Sequence, residues 1–207
     1  MQGIFTLVRL LEKHRIGVLA CSRCFPEGGN APVVDMPKRN RVLLVAQAPG
    51  STEVVTRLPF TGPAGKTLER WFARAGVSRE EVYLSALARC FPGKARRAKP
   101  GGHGGDLAPS RAMIRACRPH LLREFELLRP EVVVPVGGLA IRELLGTERL
   151  SEAVGRTFEH DGVVYVPLPH PSGASTWLNG SENQERLTTA LAALGERVAA
   201  LRHGEKS

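Results

Sequence analysis

The chain has 207 residues, enough for one well-buried core, and no shift in composition marks a second domain, so we expect residues 1–207 to form a single domain. Its apolar runs are shorter than the roughly 18 residues of a membrane span, and its N-terminus lacks the order of a signal peptide, which together predict a cytoplasmic protein that binds no membrane. The 29 Lys and Arg residues exceed the 20 Asp and Glu residues, and the formal charge is +9. This excess favours nucleic acid as a partner, although a basic solvated surface would give the same count.

An amphipathic helix is predicted near the N-terminus, where residues 4–17 carry apolar side chains at helical spacing. It leads into Cys21 and Cys24, a Cys-x-x-Cys pair that can share a metal or cluster or form a redox disulfide. The other two cysteines are Cys90, just after a predicted strand, and Cys117, in a predicted helix. Spacing leaves three alternatives open, an iron–sulfur cluster, a structural zinc site and unrelated buried thiols, while a reducing cytosol disfavours structural disulfides.

The unbroken apolar run at residues 42–46 predicts a short strand buried on both faces, because a half-exposed strand would alternate with polar residues. Pro49 and Gly50 then end the strand in a turn. Gln47 and Ala48 therefore stand at the carboxyl end of a predicted parallel strand, where open α/β sheets bind their ligands. This edge of the sheet is the candidate active site.

The rest of the chain alternates between strand and helix patterns. Strands are predicted at residues 82–86, 132–136 and 163–168, and helices at residues 64–76, 110–128, 139–145 and 182–201. This alternation predicts an α/β fold of three layers, in which a central four-stranded parallel sheet is flanked by helices. The second strand would deliver Ala86 to the same sheet edge as Gln47.

Two loop residues carry side chains suited to a planar base. Phe60, in the loop at residues 56–63, either covers the core as a lid or, if it lies beside Gln47, offers a flat face for stacking. His170 lies between Pro169 and Pro171, and such rigid presentation suits a hydrogen-bond donor to developing negative charge. A loop histidine bonded only to the backbone is the alternative.

A basic, glycine-rich stretch at residues 93–105 separates Cys90 from Cys117. Its first half holds Arg96, Arg97 and Lys99, and little of it can be buried, so we expect a mobile loop. Such a loop can follow a phosphate backbone, and these three side chains are candidate DNA contacts. The alternative is that residues 93–105 are a disordered insertion without a function.

Several short motifs follow one another in a specific order. They are residues 46–53 (AQAPGSTE), residues 58–65 (LPFTGPAG), Cys90, residues 116–121 (ACRPHL), residues 128–130 (LRP) and residues 170–172 (HPS). In this order, and with cysteines at the expected positions, the chain resembles the iron–sulfur branches of the uracil-DNA glycosylase superfamily, known as families 4 and 5. The resemblance runs from about Cys21 to the last predicted helix.

The resemblance implies a cofactor, a [4Fe–4S] cluster that organises DNA-facing loops rather than moving electrons. Its implied ligands are Cys21, Cys24, Cys90 and Cys117.

The resemblance also implies roles around a flipped base. Gln47 and Ala48 would border the base, Phe60 would stack on it, and His170 would stabilise charge on the departing base. Residues 172–176, which include Ser172 and Gly173, would belong to the loop that enters the duplex.

Two departures from the family pattern concern the chemistry. Many members have an acidic side chain where this chain has Gln47, which can orient a water but cannot act as a general base, so Glu53 is a possible substitute. Family 4 members usually have an Asn where this chain has Ala86. Because a buried hydrogen bond to the base would be lost there, we expect looser selectivity, with hypoxanthine and xanthine as further candidate bases.

The sequence as a whole predicts a monomeric DNA glycosylase that releases uracil from DNA. Two alternatives stay open. One is a DNA-binding protein of the same fold that is inactive because Gln47 and Ala86 replace polar groups, and the other is an electron carrier.

Overall fold

One mixed sheet forms the centre of the protein. The computed structural model describes residues 2–95, 105–147, 149–173 and 175–204. The strands are β1 Val42–Ala46, β2 Val82–Ala86, β3 Val132–Pro135, β4 Phe158–His160 and β5 Val163–Tyr165. They lie in the order β2-β1-β3-β5-β4, and the first four of this order pair in parallel. The four predicted parallel strands are therefore all present.

Helices cover both faces of the sheet. They are α1 Gln2–Leu19, α2 Ser51–Thr56, α3 Pro63–Ala75, α4 Arg111–Leu128, α5 Gly138–Leu145, α6 Leu150–Ala153 and α7 Ser181–Gly204. Side chains of α3 and α7 pack in the core on one face, and side chains of α1 and α4 pack in the core on the other. The predicted three-layer α/β fold is confirmed. Within the described ranges, no helix has both the length and the apolar character that a membrane crossing requires.

The central strand β1 is buried along its whole length, as its unbroken apolar sequence predicts. Leu43 and Val45 are 0% exposed and belong to the core on the α1 and α4 face. Val42, Leu44 and Ala46 belong to the core on the opposite face. Alternate side chains of one strand thus enter two cores, so neither face of β1 can carry polar groups.

The sheet contains one strand that the sequence pattern does not predict. Strand β4 is antiparallel to β5 and lies at the sheet edge. The connecting turn contains Asp161 and Gly162, whose φ angles are +51° and +75°. Asp-Gly is a strong hairpin signal, but β4 is mostly exposed and holds no apolar run, which is why buried-strand periodicity misses it.

Candidate active site

A cavity of about 610 Å³ opens at the carboxyl edge of the sheet. The predicted site residues that line it are Gln47, Ala48, Glu53, Phe60, Ala86, His170, Ser172 and Gly173. Strand β1 lies between β2 and β3, so the strands that follow β1 in the chain are added first on one side of it and then on the other. Ligand clefts of open α/β sheets form where the strand order reverses in this way. A volume of this size is ordinary for a site that takes one small ligand.

His170 reaches the cavity because the chain continues to pair with β3 beyond the end of β5. The Leu168 N–H donates to the Pro135 carbonyl at 2.9 Å, and the Gly137 N–H donates to the Leu168 carbonyl at 2.9 Å. Gly137 has a φ of +86°, and a Cβ there would lie 3.3 Å from Cδ2 of His170. The imidazole is thus fixed against backbone at the end of the sheet.

The two ring nitrogens of His170 have different tasks. Nδ1 accepts a hydrogen bond from the Ser172 N–H at 3.2 Å, so this nitrogen carries a lone pair. Burial lowers the pKa of His170, so the ring is neutral at pH 7 and its proton is on Nε2. Nε2 lies 3.5 Å from the side-chain amide of Gln47. One nitrogen thus bonds the backbone and the other offers a donor to the cavity, so His170 is not bonded only to the backbone, and its role toward developing negative charge stays a prediction.

Phe60 is presented by a strained turn. Its φ is +55°, a conformation that a bulky side chain rarely adopts and that costs about 1 to 3 kcal/mol. A Cβ at Gly65 would lie 1.8 Å from the Phe60 carbonyl oxygen, so only glycine fits beneath the turn. Nη2 of Arg79 also donates to the Pro59 carbonyl at 2.5 Å. The half-buried ring both packs against the core and lines the cavity, so its two interpretations are compatible.

The carboxylate of Glu53 joins two turns of the cavity wall. Oε2 accepts the Gly50 N–H at 3.1 Å, and Oε1 accepts the Gly62 N–H at 2.8 Å. Glu53 is 8% exposed. Because both oxygens hold backbone donors, these contacts favour a positioning role for Glu53, and water activation by this residue stays a prediction without structural support.

A buried ion pair lies behind the cavity floor, and the sequence motifs do not identify it. Arg89 and Glu124 are 2% and 0% exposed, and Nη2 of Arg89 donates to Oε2 of Glu124 at 2.5 Å. The same guanidinium donates to the Ser85 hydroxyl at 2.9 Å and to the Ala86 carbonyl. Burial raises the pKa of Glu124, but the Arg89 cation together with the hydrogen bonds of His14 and Ser85 outweighs burial and holds the pKa below its ordinary value. The only signal in the sequence is an acidic residue on the buried face of α4.

All four cysteines are free thiols: Cys21 and Cys24 are half-buried, and Cys90 and Cys117 are buried. Burial, with smaller contributions from the thiols of Cys24 and Cys117, raises the pKa of Cys90 to about 12. The Arg89 N–H donates to Sγ of Cys117 at 3.2 Å. Cys21 also acts on the pKa of Cys117, so all four thiols are within electrostatic reach of one another. Among the described residues, no three His, Cys, Asp or Glu side chains are arranged to hold a single metal ion.

The basic stretch ends at the cavity, where Gly105 is a lining residue. Its predicted DNA contacts, Arg96, Arg97 and Lys99, lie outside the described residues. On either side of them, the Ala95 N–H donates to the Gly105 carbonyl at 2.9 Å, and the Leu107 N–H donates to the Gly93 carbonyl at 2.9 Å. This short ladder brings residues 105–107 into the cavity wall.

One of these residues, Asp106, is a cavity residue that sequence reasoning misses. Its Oδ2 accepts the Ser51 N–H at 3.2 Å, beside the turn that follows β1. Asp106 belongs to none of the recognised motifs, and its approach to Ser51 depends on contacts between segments 55 positions apart. No local pattern could have indicated it.

The chain is similar to known proteins over most of its length. A sequence profile described as "Uracil DNA glycosylase superfamily" matches residues 33–195. The type-4 uracil-DNA glycosylase of Thermotoga maritima is 28% identical over 175 residues, which cover 82% of this chain and 85% of that protein. The protein of the same name from Saccharolobus solfataricus is 30% identical over 169 residues, 76% of this chain and 73% of that one. With the one from Pyrobaculum aerophilum, identity is 29% over 123 residues, 57% of each chain.

Proposed function

Because the chain belongs to the uracil DNA glycosylase superfamily, we propose that it is a DNA glycosylase that hydrolyses the N-glycosidic bond of uracil in DNA, in base excision repair. The observation that carries this proposal is the cavity in which Phe60, Gln47 and His170 meet. A flat aromatic face, an amide and a fixed N–H donor are the groups that bind one pyrimidine ring. The formal charge of +9 supports DNA as the partner.

The leaving base explains the placement of His170. When the bond between the sugar and N1 of uracil breaks, the sugar becomes oxocarbenium-like and the base leaves as an anion. A fixed Nε2–H donor on His170 stabilises that anion at its O2 edge, and loss of one such donor costs about 3 kcal/mol, about a hundredfold in rate. The Ser172 N–H keeps Nδ1 unprotonated and so directs the proton to Nε2.

Phe60 offsets part of the cost of taking the nucleotide out of the duplex. Extrusion costs a few kcal/mol, and less for a mispaired base such as uracil opposite guanine. Stacking on an aromatic ring returns about 1 to 3 kcal/mol per base. The turn that holds Phe60 already has its strained conformation in the structure without substrate. Little conformational entropy is therefore lost in ordering the ring when the base binds.

Base selection rests on few side chains. Ala86 offers no hydrogen bond to the base, and Ser85 beside it bonds Arg89 and Glu124 behind the floor. The amide of Gln47 is then the side-chain group that can read the base edge. We therefore propose that hypoxanthine and xanthine are accepted alongside uracil, because discrimination is strong only where buried polar groups must be paired.

The cysteines are proposed to hold a [4Fe–4S] cluster. Four free thiols within electrostatic reach of one another are the donor set that such clusters use. The Arg89 N–H directed at Sγ of Cys117 is the type of hydrogen bond that stabilises a coordinated thiolate. Bound there, the cluster would act as a structural tie between the end of α1, the loop after β2, and α4.

The proposal is tested by incubating the protein with duplex DNA that contains uracil opposite guanine, hypoxanthine or xanthine, and by cleaving abasic products with alkali. We expect abasic product from uracil, and a rate about a hundredfold lower for His170→Ala. His203→Ala, at an exposed position near the end of α7, is the matched control and should keep the full rate. Tight DNA binding with no release of any of the three bases would instead support an inactive DNA-binding protein.

A further inference from the structure

Hydrolysis is faster where a side chain takes a proton from the attacking water, and the cavity wall offers few groups that can do so. Among the described residues that line it, three are ionisable: Glu53, Asp106 and His170. The lone pair of His170 already accepts the Ser172 N–H. Both oxygens of Glu53 accept backbone donors. The amide of Gln47 can orient a water but takes no proton at neutral pH.

Asp106 differs from Glu53 in how its carboxylate is held. One oxygen, Oδ2, accepts the Ser51 N–H at 3.2 Å, and the described residues direct no hydrogen bond to Oδ1. Oδ2 also lies 2.8 Å from the point where a Cβ of residue 50 would be, so the absence of a side chain at Gly50 lets it approach. The carboxylate of this cavity-lining residue is thus anchored at the turn that follows Gln47, and among the described residues no donor occupies Oδ1, which leaves it available to a water.

We propose that Asp106 is the catalytic base of the hydrolysis, which is an inference that rests on the proposed function. In the step, the oxygen of a water molecule forms a bond to C1′ of the deoxyribose as the bond from C1′ to N1 of the base breaks. The electron pair of that bond stays on the base, which leaves as an anion facing Nε2 of His170. One proton of the water passes to the Asp106 carboxylate and returns to solvent after the base departs.

This assignment gives the departure at position 47 a physical meaning. An acidic side chain is absent directly after β1, and the Asp106 carboxylate, from the stem of the basic stretch, instead accepts the Ser51 N–H in the wall of the same cavity. Gln47 and Asp106 then divide the work, with the amide orienting the water and the carboxylate taking its proton. In this arrangement the base comes from another segment, so strand β1 and the turn after it keep the conformation described above.

The test measures single-turnover release of uracil from duplex DNA by the full-length protein. Asp106→Asn keeps an acceptor for the Ser51 N–H, so folding should be retained, while proton transfer is lost. We expect its rate to fall by about a hundredfold or more, with the dissociation constant for DNA changed less than about threefold. Asp161→Asn, in the exposed turn between β4 and β5, is the matched control and should match the wild type.

Chemical rescue separates a base from a merely structural residue. Added formate should raise the rate of Asp106→Ala at least about tenfold, because a small carboxylate can enter the vacated space and accept the proton. A rate for Asp106→Asn within threefold of the wild type, or no rescue by formate, would overturn the assignment of Asp106 alone. A wild-type protein that releases no base would overturn the proposed function and this assignment with it.

Discussion

Nε2 of His170 lies 3.5 Å from the side-chain amide of Gln47, although the two residues are 123 positions apart in the chain. The ladder between β3 and the segment after β5 carries His170 to this place, and the end of β1 carries Gln47. Since Nδ1 of His170 is occupied by the Ser172 N–H, the proton faces Gln47, whose amide oxygen can accept it after a 180° turn of the amide. A uracil O2 that enters the cavity would replace Gln47 as the acceptor.

The first prediction concerns the stability of the protein in acid. Burial lowers the pKa of His170 below its ordinary value near 6.5. At a pH between the lowered pKa and about 6.5, the imidazole is therefore protonated in the unfolded chain but neutral in the folded chain. Stability is therefore lost as the pH falls below about 6.5 and down to the lowered pKa. His170→Asn keeps an acceptor for the Ser172 N–H but does not titrate, so it should lose less stability. Urea unfolding of both proteins at pH 7.5 and pH 5 measures this, and equal losses would contradict the role given to burial of the ring.

A second prediction concerns the turn that presents Phe60. Gly65→Ala would put a Cβ 1.8 Å from the Phe60 carbonyl oxygen, so the turn must move. We expect a loss of roughly 1 to 3 kcal/mol in the free energy of unfolding and weaker binding of uracil DNA. Gly17→Ala in α1, where a Cβ meets nothing within 4 Å, is the control and should be neutral or slightly stabilising. Unchanged DNA affinity in Gly65→Ala would show that Phe60 does not depend on this turn.

A third prediction concerns the buried ion pair. Glu124→Gln leaves the Arg89 cation buried without its counter-charge, which typically costs about 3 to 5 kcal/mol. Glu126→Gln, at a nearby position on α4, breaks only an exposed pair with Arg123 and should cost less than about 1 kcal/mol. Denaturant unfolding of the two variants compares them directly. Similar losses in both would mean that the charge of Glu124 contributes little to folding.

A fourth prediction concerns the cysteine site. Protein purified without oxygen should be brown and should contain about four iron and four sulfide per chain. Cys117→Ser should lose most of this iron and melt at a lower temperature, whereas Ser22→Ala, between Cys21 and Cys24, should keep both. Iron analysis, the visible spectrum and thermal melting are the measurements. A colourless protein that contains zinc would contradict the cluster assignment and indicate a structural zinc site.

Local sequence patterns predict the strands well because burial on two faces leaves a direct trace in the sequence. The run at residues 42–46 and the turn at Pro49 and Gly50 are by themselves enough to place Gln47 at the sheet edge. Strand β4 leaves no such trace, since it is mostly exposed and its pairing depends on β5.

Contacts between distant segments are what the sequence does not predict. Asp106 approaches Ser51 because backbone hydrogen bonds pair residues 93–95 with residues 105–107. No sequence motif marks either of these two segments. Arg89 directly precedes Cys90, yet its partner Glu124 is on another element and is identified only by its burial. The convergence of Phe60 and His170 on one cavity follows from family resemblance, and not from periodicity or charge.

The most direct test of the role given to this cavity is a crystal structure of the protein bound to duplex DNA that contains 2′-fluoro-2′-deoxyuridine, which resists hydrolysis, opposite guanine. We expect the uracil to lie in the cavity with its ring against Phe60 and its O2 about 2.7 to 3.2 Å from Nε2 of His170. A uracil that stays stacked in the duplex, or binds elsewhere while the cavity stays empty, would contradict that role.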